Sequence, residues 1–231
     1  MKRFYRTVDT VPEGVGYVVR LDERPVRTPA RHVLTLPTSA LAETVAQEWR
    51  GQNEEIVPAA MPLTRLATTT LDLMPGRRGD AVDEAAGYAG TDLLCYRAAD
   101  PRTLVERQEA AWQPWLDWAQ RQHDAALVVA HTIDPLQQPA TALLALRGAV
   151  ERLDDWRLVG LHAAATLTGS LVLALALEGG LIDAGRLFET ALLDELYEIE
   201  CWGEEPQQRQ RHANLRRDLE AAERFLRLLP C

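Results

Sequence analysis

Five histidines, His32, His123, His131, His162 and His212, have the chemistry to ligate a metal or pass a proton near neutral pH. A zinc-hydrolase helix would space two of them four residues apart around a glutamate, and no such pair occurs. His162 falls in an apolar run and is expected as a hydrogen-bonded core histidine. The cysteines, Cys95, Cys201 and Cys231, are far apart and form no CxxC, so neither a zinc site nor a disulfide framework is supported; a reducing compartment fits. Cys95 has no activating group nearby and is expected as a buried thiol. Gly14 and Gly16 look like part of a phosphate loop. They lie between strand-like segments with no Lys-Ser or Lys-Thr after them, which predicts a hairpin turn instead. Gly169-Ser170 lacks the G-x-S-x-G pattern and reads as a close packing point within a helix. No catalytic residue, metal or cofactor is predicted.

Carboxylates concentrate in LLDELYEIECWGEE, residues 192–205, which holds Asp194, Glu195, Glu198, Glu200, Glu204 and Glu205. No Lys or Arg occurs between Arg186 and Arg209. Leu193, Leu196, Tyr197, Ile199 and Trp202 are interleaved with the acids. At the helical period Phe188, Leu192, Leu196 and Ile199 share one face and Glu195 falls within it, with Asp194 and Glu198 beside it and Leu193 and Tyr197 nearly opposite. A carboxylate on an apolar face must be paired or must sit at a contact surface, because burying it alone is costly. Two readings follow. Glu195 pairs internally with an arginine of RQRHANLRRDLEAAERFLR, or the acidic helix meets a basic, apolar partner.

The elements that would carry these residues change character along the chain. RFYRTVD, GYVVRLD, RPVRT and HVLTL, rich in Val, Tyr and Thr and separated by turn residues, predict two or three hairpins. A helix follows with Thr38 or Ser39 as its cap and Leu41, Val45 and Trp49 on one face. A second begins at Pro62, and RGDAVDEAAGYAG forms a third. GTDLLCYRA reads as strand or helix. Beyond Pro101 the pattern is helical. Pro114 should kink or split the first of these helices, and among Trp112, Trp115 and Trp118 some should be core and one exposed. Residues 125–134 read as strand or connector and end in a break at 135–139. Helices are then predicted at 139–154, 156–178, 183–202 and 205–229. The fold class is α+β: a module with N-terminal β-hairpins over residues 1–98, then an all-helical module over 99–231.

With 231 residues, 47% of them hydrophobic, the chain can bury a sizeable core. A net charge of −9 argues against nucleic acid as a partner. Residues 158–177 are long enough to span a bilayer, but His162, the threonines and Gly169-Ser170 point to the buried central helix of a soluble protein. MKRFYRTVDT has no apolar core of a signal peptide. Lys occurs once, at Lys2, and the Arg and Ala richness reads as the codon bias of a GC-rich bacterium. The expected compartment is the cytoplasm.

Six segments, GYVVRLDERPVRTPA (16–30), LPTSALAETVAQEW (36–49), MPLTRLATTTLD (61–72), GTDLLCYRA (90–98), GSLVLALALEGG (169–180) and LDELYEIECWG (193–203), together resemble the assembly chaperones that attend the alpha subunit of the F1 sector of ATP synthase. Glu23 stands where that family's first turn is expected to carry glycine, which bears on the hairpin type. The resemblance implies an ATP-independent chaperone and not an enzyme. Such a protein holds the unassembled alpha subunit soluble until the beta subunit takes its place, and it needs no cofactor. The resemblance also places functional weight near the acidic segment, so Asp194, Glu195, Glu198, Glu200 and Trp202 are the candidate partner-binding residues. The alternatives are an enzyme with an unrecognised carboxylate site, or a structural subunit of a stable complex.

Overall fold

A computed structural model describes residues 1–131 and 136–230. Strands β1 (Val8–Glu13) and β2 (Gly16–Leu21) form an antiparallel hairpin from Val8 opposite Leu21 to Glu13 opposite Gly16. Gly14, with φ +58°, makes the turn, as its spacing predicts. Strands β3 (Arg24–Pro25) and β4 (Thr35–Leu36) both pair with β2. The first strand lies later than the expected RFYRTVD. The Asp22 carboxylate accepts the backbone N–H groups of Arg6 and Thr7, which removes those residues from ladder pairing. The β2–β3 turn puts Asp22 and Glu23 at φ +46° and +67°, a turn that favours glycine at its second position. Replacing Glu23 with glycine is therefore expected to stabilise the fold by about 0.5–1 kcal/mol, the relief of left-handed strain being partly offset by glycine's greater unfolded-state entropy. Urea unfolding of the variant measures this.

Helix α1 (Ser39–Arg50) is capped by the Thr38 hydroxyl, which accepts from Leu41 N. Helix α2 (Pro62–Gly87) has no cap of its own. Glu48 of α1 supplies it, accepting from Leu63 N and Thr64 N at 2.8 Å and from the Thr64 hydroxyl at 2.6 Å. Pro75 and Gly76 leave helical geometry, which separates α2 into the two helical stretches expected there. Asp72 accepts from the Thr28 hydroxyl and from Ala30 N, tying the RTPA loop to α2. GTDLLCYRA holds the end of one short 3-10 turn, residues 88–91, and the whole of another, residues 93–95.

Helix α3 (Arg102–His123) runs through Pro114 as one element. Trp112 is fully buried and Trp115 and Trp118 are half-buried, so none of the three is the exposed tryptophan expected. Residues 125–131 form no strand, only a single bridge between Tyr96 and Ala130; residues 132–134, and Pro135 of the expected break, lie outside the described residues. Helices α4 (Ala140–Glu151), α5 (Asp155–Thr168) and α6 (Leu171–Glu178) follow. The helix expected at 156–178 is two helices. Gly169 (φ +70°) ends α5, and the Ser170 hydroxyl caps α6 by accepting from Leu173 N. Its place at the centre of the molecule is as expected: Leu171 to Leu177 are all buried. No described helix is long and apolar enough to cross a membrane.

Helices α7 (Ala184–Ala191), α8 (Leu193–Trp202) and α9 (Pro206–Arg227) complete the chain. Helix α9 lies against α5, where Gly160 makes room: a Cβ there would stand 2.6 Å from a Leu226 methyl. The architecture is α+β, a four-stranded antiparallel sheet with helices followed by a helical region. One core cluster includes Leu34, Leu41, Leu94, Leu161, Leu173 and Phe225. It crosses the proposed 98–101 boundary, since α2 packs on α4, α5 and α9. The division into residues 1–98 and 99–231 remains a proposal that rests on the change of patterning.

Candidate partner interface

The acidic stretch is two helices with a joint between them. Leu192, at φ −103° and ψ 19°, ends α7, so the helical phase carried from Phe188 to Ile199 is reset there. Leu193 consequently packs against the core with Leu196 instead of pointing away from it. Helix α8 ends at Gly203, whose φ of +89° suits glycine.

Arginines absent from the local sequence arrive through the fold. On the α3 side, Glu200 pairs with Arg107 at 2.6 Å, and the Gln108 side chain donates to Asp194 at 2.6 Å. The Tyr197 and Thr103 hydroxyls are hydrogen-bonded at 2.7 Å, and the Arg107 guanidinium lies 5.2 Å from the Tyr197 ring centre. On the α9 side, Glu195 Oε2 accepts from Arg211 and lies 2.9 Å from His212 Nε2. The His212 ring is buried, edge-on to Phe188 with centroids 5.6 Å apart. The internal ion pair, one of the two readings of Glu195, is thus present. Both contacts use Oε2; Oε1 has no hydrogen-bond partner among the described residues.

Two adjacent carboxyls are pushed in opposite directions. Burial raises Asp194 above the ordinary carboxylate range, the Gln108 hydrogen bond opposing and the Glu195 charge adding to it. Burial also acts to raise Glu195, but the hydrogen bonds and charges of His212 and Arg211 outweigh it and hold this carboxyl low. Glu198 has no ion-pair partner among the described residues. Trp202 is 79% exposed, beside Glu198, Glu204 and Glu205. No residue of α8 is fully buried. The helix is clamped along two edges and open between them.

Residues 2–120 match the family model of the ATP12 chaperone protein. The fold agrees over nearly all of the chain. A crystal structure of Atp12 from Paracoccus denitrificans is 39% identical, with 99% of this chain and 98% of that one covered and a TM-score of 0.92. The chain belongs to the ATP12 chaperone family. A point mutant of the Paracoccus Atp12p is also 39% identical, with 98% and 97% covered and a TM-score of 0.91. A candidate chaperone from Agrobacterium tumefaciens is 35% identical, with 99% of this chain and 86% of that one covered and a TM-score of 0.94. The family is the one that the six sequence segments resemble.

In this ATP12-family chain several of those segments meet in pairs through capping carboxylates: Glu48 with Leu63 and Thr64, Asp72 with Thr28 and Ala30, and Asp92 with residues 170–172. His212 is a partner of Glu195 that is not among the residues expected from the sequence. Its signal was position: it begins the α9 stripe that continues with Leu215, Leu219, Ala222 and Leu226, where a polar residue needs a buried partner. Arg107 and Gln108 carry no local signal, because their partners lie 93 and 86 residues away. His162 is a correction. It is half-exposed, 3.4 Å from Glu84, because it faces the rim between α2 and α5 and not the core. Cys95 is buried, as expected, and burial with the nearby Asp92 charge pushes its thiol up to about 12, so it is unreactive. Cys201 is exposed, and Cys231 lies outside the described residues. Among the described residues no cluster of His, Cys, Asp or Glu is placed to hold a metal ion.

Proposed function

We propose that this ATP12-family chaperone serves ATP synthase assembly in the bacterial cytoplasm by holding the unassembled alpha subunit of F1 through the open face of α8, until the beta subunit replaces it. It works without a cofactor and catalyses no reaction. The observation that carries this reading is the clamped acidic helix itself. The contacts from α3 and α9 fix Asp194, Glu195 and Glu200 in place, while Glu198, Trp202 and one oxygen of Glu195 stay uncommitted. An exposed indole ringed by carboxylates suits a surface that is both apolar and basic. A rigid helix presenting such groups loses little side-chain freedom on binding.

Purified protein is expected to keep isolated alpha subunit from aggregating at near-stoichiometric amounts with no nucleotide present, and added beta subunit is expected to displace it. Light scattering during dilution of alpha subunit from denaturant reads the first outcome, and native gel shift the second. A requirement for ATP hydrolysis by this chain would overturn the reading.

A further inference from the structure

The N-terminal end of the molecule has the opposite charge to α8. Residues 1–31 carry seven basic and four acidic side chains in a protein whose net charge is −9. Between the first four residues and the β2–β3 turn lies an open cleft of about 870 Å³. Its apolar lining includes Phe4, Val26 and Trp49, and Arg24 and Arg27 stand on it. Phe4 is 67% exposed and Met1 74% exposed. The Arg24 side chain has no ion-pair or hydrogen-bond partner among the described residues, and among them the Arg27 side chain bonds only the Arg31 carbonyl, at 2.9 Å. Asp22, the acid in the lining, is already committed to the N–H groups of Arg6 and Thr7. The other acids of this end are Asp9, which pairs with Arg20, and Glu13, Glu23, Glu54 and Glu55, which are exposed, against Lys2, Arg3, Arg6, Arg24, Arg27 and Arg31.

We propose that this cleft is a second docking surface, which takes an extended acidic peptide segment bearing aromatic or large aliphatic side chains. Charge complementarity selects acid: exposed guanidinium groups with no carboxylate partner among the described residues attract carboxylates and fork onto them. The apolar floor between them selects hydrophobic side chains at alternate positions. The concave shape and its size fit several side chains of a chain segment, more than an ion or a flat surface would need. Recognition runs through side chains and not through strand addition. In the β2–β3 hairpin Leu21 and Arg24 face each other next to the two-residue turn, and Val26 N already bonds Val19 O, so Pro25 is the residue turned to the free edge. Proline has no N–H to offer there. This surface is separate from α8 and stands or falls independently of it.

The test uses a fluorescein-labelled synthetic decapeptide alternating Glu with Phe and Leu, a charge-reversed Lys version, and phosphatidylserine vesicles, all against the full chain. Anisotropy is expected to show binding of the acidic peptide that weakens with salt, while any binding of the Lys peptide, whose chemistry suits α8, should not weaken when Arg24 and Arg27 are replaced. Arg24→Glu with Arg27→Glu should weaken it at least tenfold, and Arg24→Glu alone should act in the same direction with an unchanged melting temperature. A Glu198→Lys variant should bind the peptide normally. Equal affinity in the double variant, no binding of the acidic peptide, or binding to vesicles in its place would each overturn the proposal.

Discussion

Asp92→Ala is expected to lower the unfolding free energy by about 2–4 kcal/mol, the largest fold effect of a single substitution anticipated here. The Asp92 carboxylate is fully buried and accepts from Leu94 N and Val172 N at 3.1 Å, with further bonds from the Ser170 side chain and Leu171 N. One side chain thus caps the turn at 93–95 and the start of α6. Alanine strands those donors in a dry interior, where each unmet donor costs about 1–3 kcal/mol, and the relief from burying a charge offsets part of the loss. For a chain of this size the melting temperature should fall by roughly 4–16 °C. The same group carries a pH signature. Burial pushes the Asp92 carboxyl up to about 6, against the pull of its hydrogen bonds. The folded state then holds the proton more tightly than the unfolded chain does. The group's contribution to stability therefore declines as pH rises from the ordinary carboxylate range through about 6, and is level above that. Asp92→Asn should remove this decline, which urea titrations between pH 4 and 7 would reveal as a changed slope.

Glu195→Lys is expected to weaken alpha-subunit binding at least tenfold while lowering stability by only about 1–2 kcal/mol. The new cation faces Arg211 and the buried His212. Arg211 is more than half exposed, so solvent screens most of the repulsion and the melting temperature should drop by roughly 2–8 °C. Against a basic partner the same reversal replaces attraction with repulsion in a desolvated contact, which typically costs ~2–5 kcal/mol. Glu200→Lys is the comparison. Its pair with Arg107 is exposed on both sides, so it should change stability by less than about 1 kcal/mol. Thermal melting and binding measured on both variants separate the roles. A collapse of the fold with normal binding in the surviving folded fraction would make Glu195 a purely internal residue.

Periodicity and turn chemistry were enough to find most of the elements, and they failed at two joints for the same reason. Gly169-Ser170 and Leu192 each interrupt a run whose apolar spacing continues on both sides. At the first the stop signals, a glycine for the left-handed cap and a serine for the next N-cap, are present in the letters, but the same pair also fits close packing within one helix. At the second nothing local marks the break: Leu192 is a good helix former, and tertiary contacts of α8 with α3 set the new axis. The acidic residues of the candidate site are apparent from composition alone. Their partners are not, because Arg107, Gln108, Arg211 and His212 reach them across helix packing that sequence spacing does not encode. The uninterrupted negative surface implied by the run from Arg186 to Arg209 is in fact neutralised at Glu195, Glu200 and Glu204.

Helix α9 packs on α2, α5, α6 and α7, all of which precede it in the chain. Its far end closes a hydrogen bond of 2.6 Å from the Thr38 hydroxyl to the Leu228 carbonyl, joining residues 190 positions apart. The Gly160 notch and the Trp156 ring, which Leu226 and Phe225 cover, therefore stay open until α9 has been made. A chaperone built this way passes through an aggregation-exposed stage of its own at birth. Its yield in the cell should respond to the general holdases that meet nascent chains.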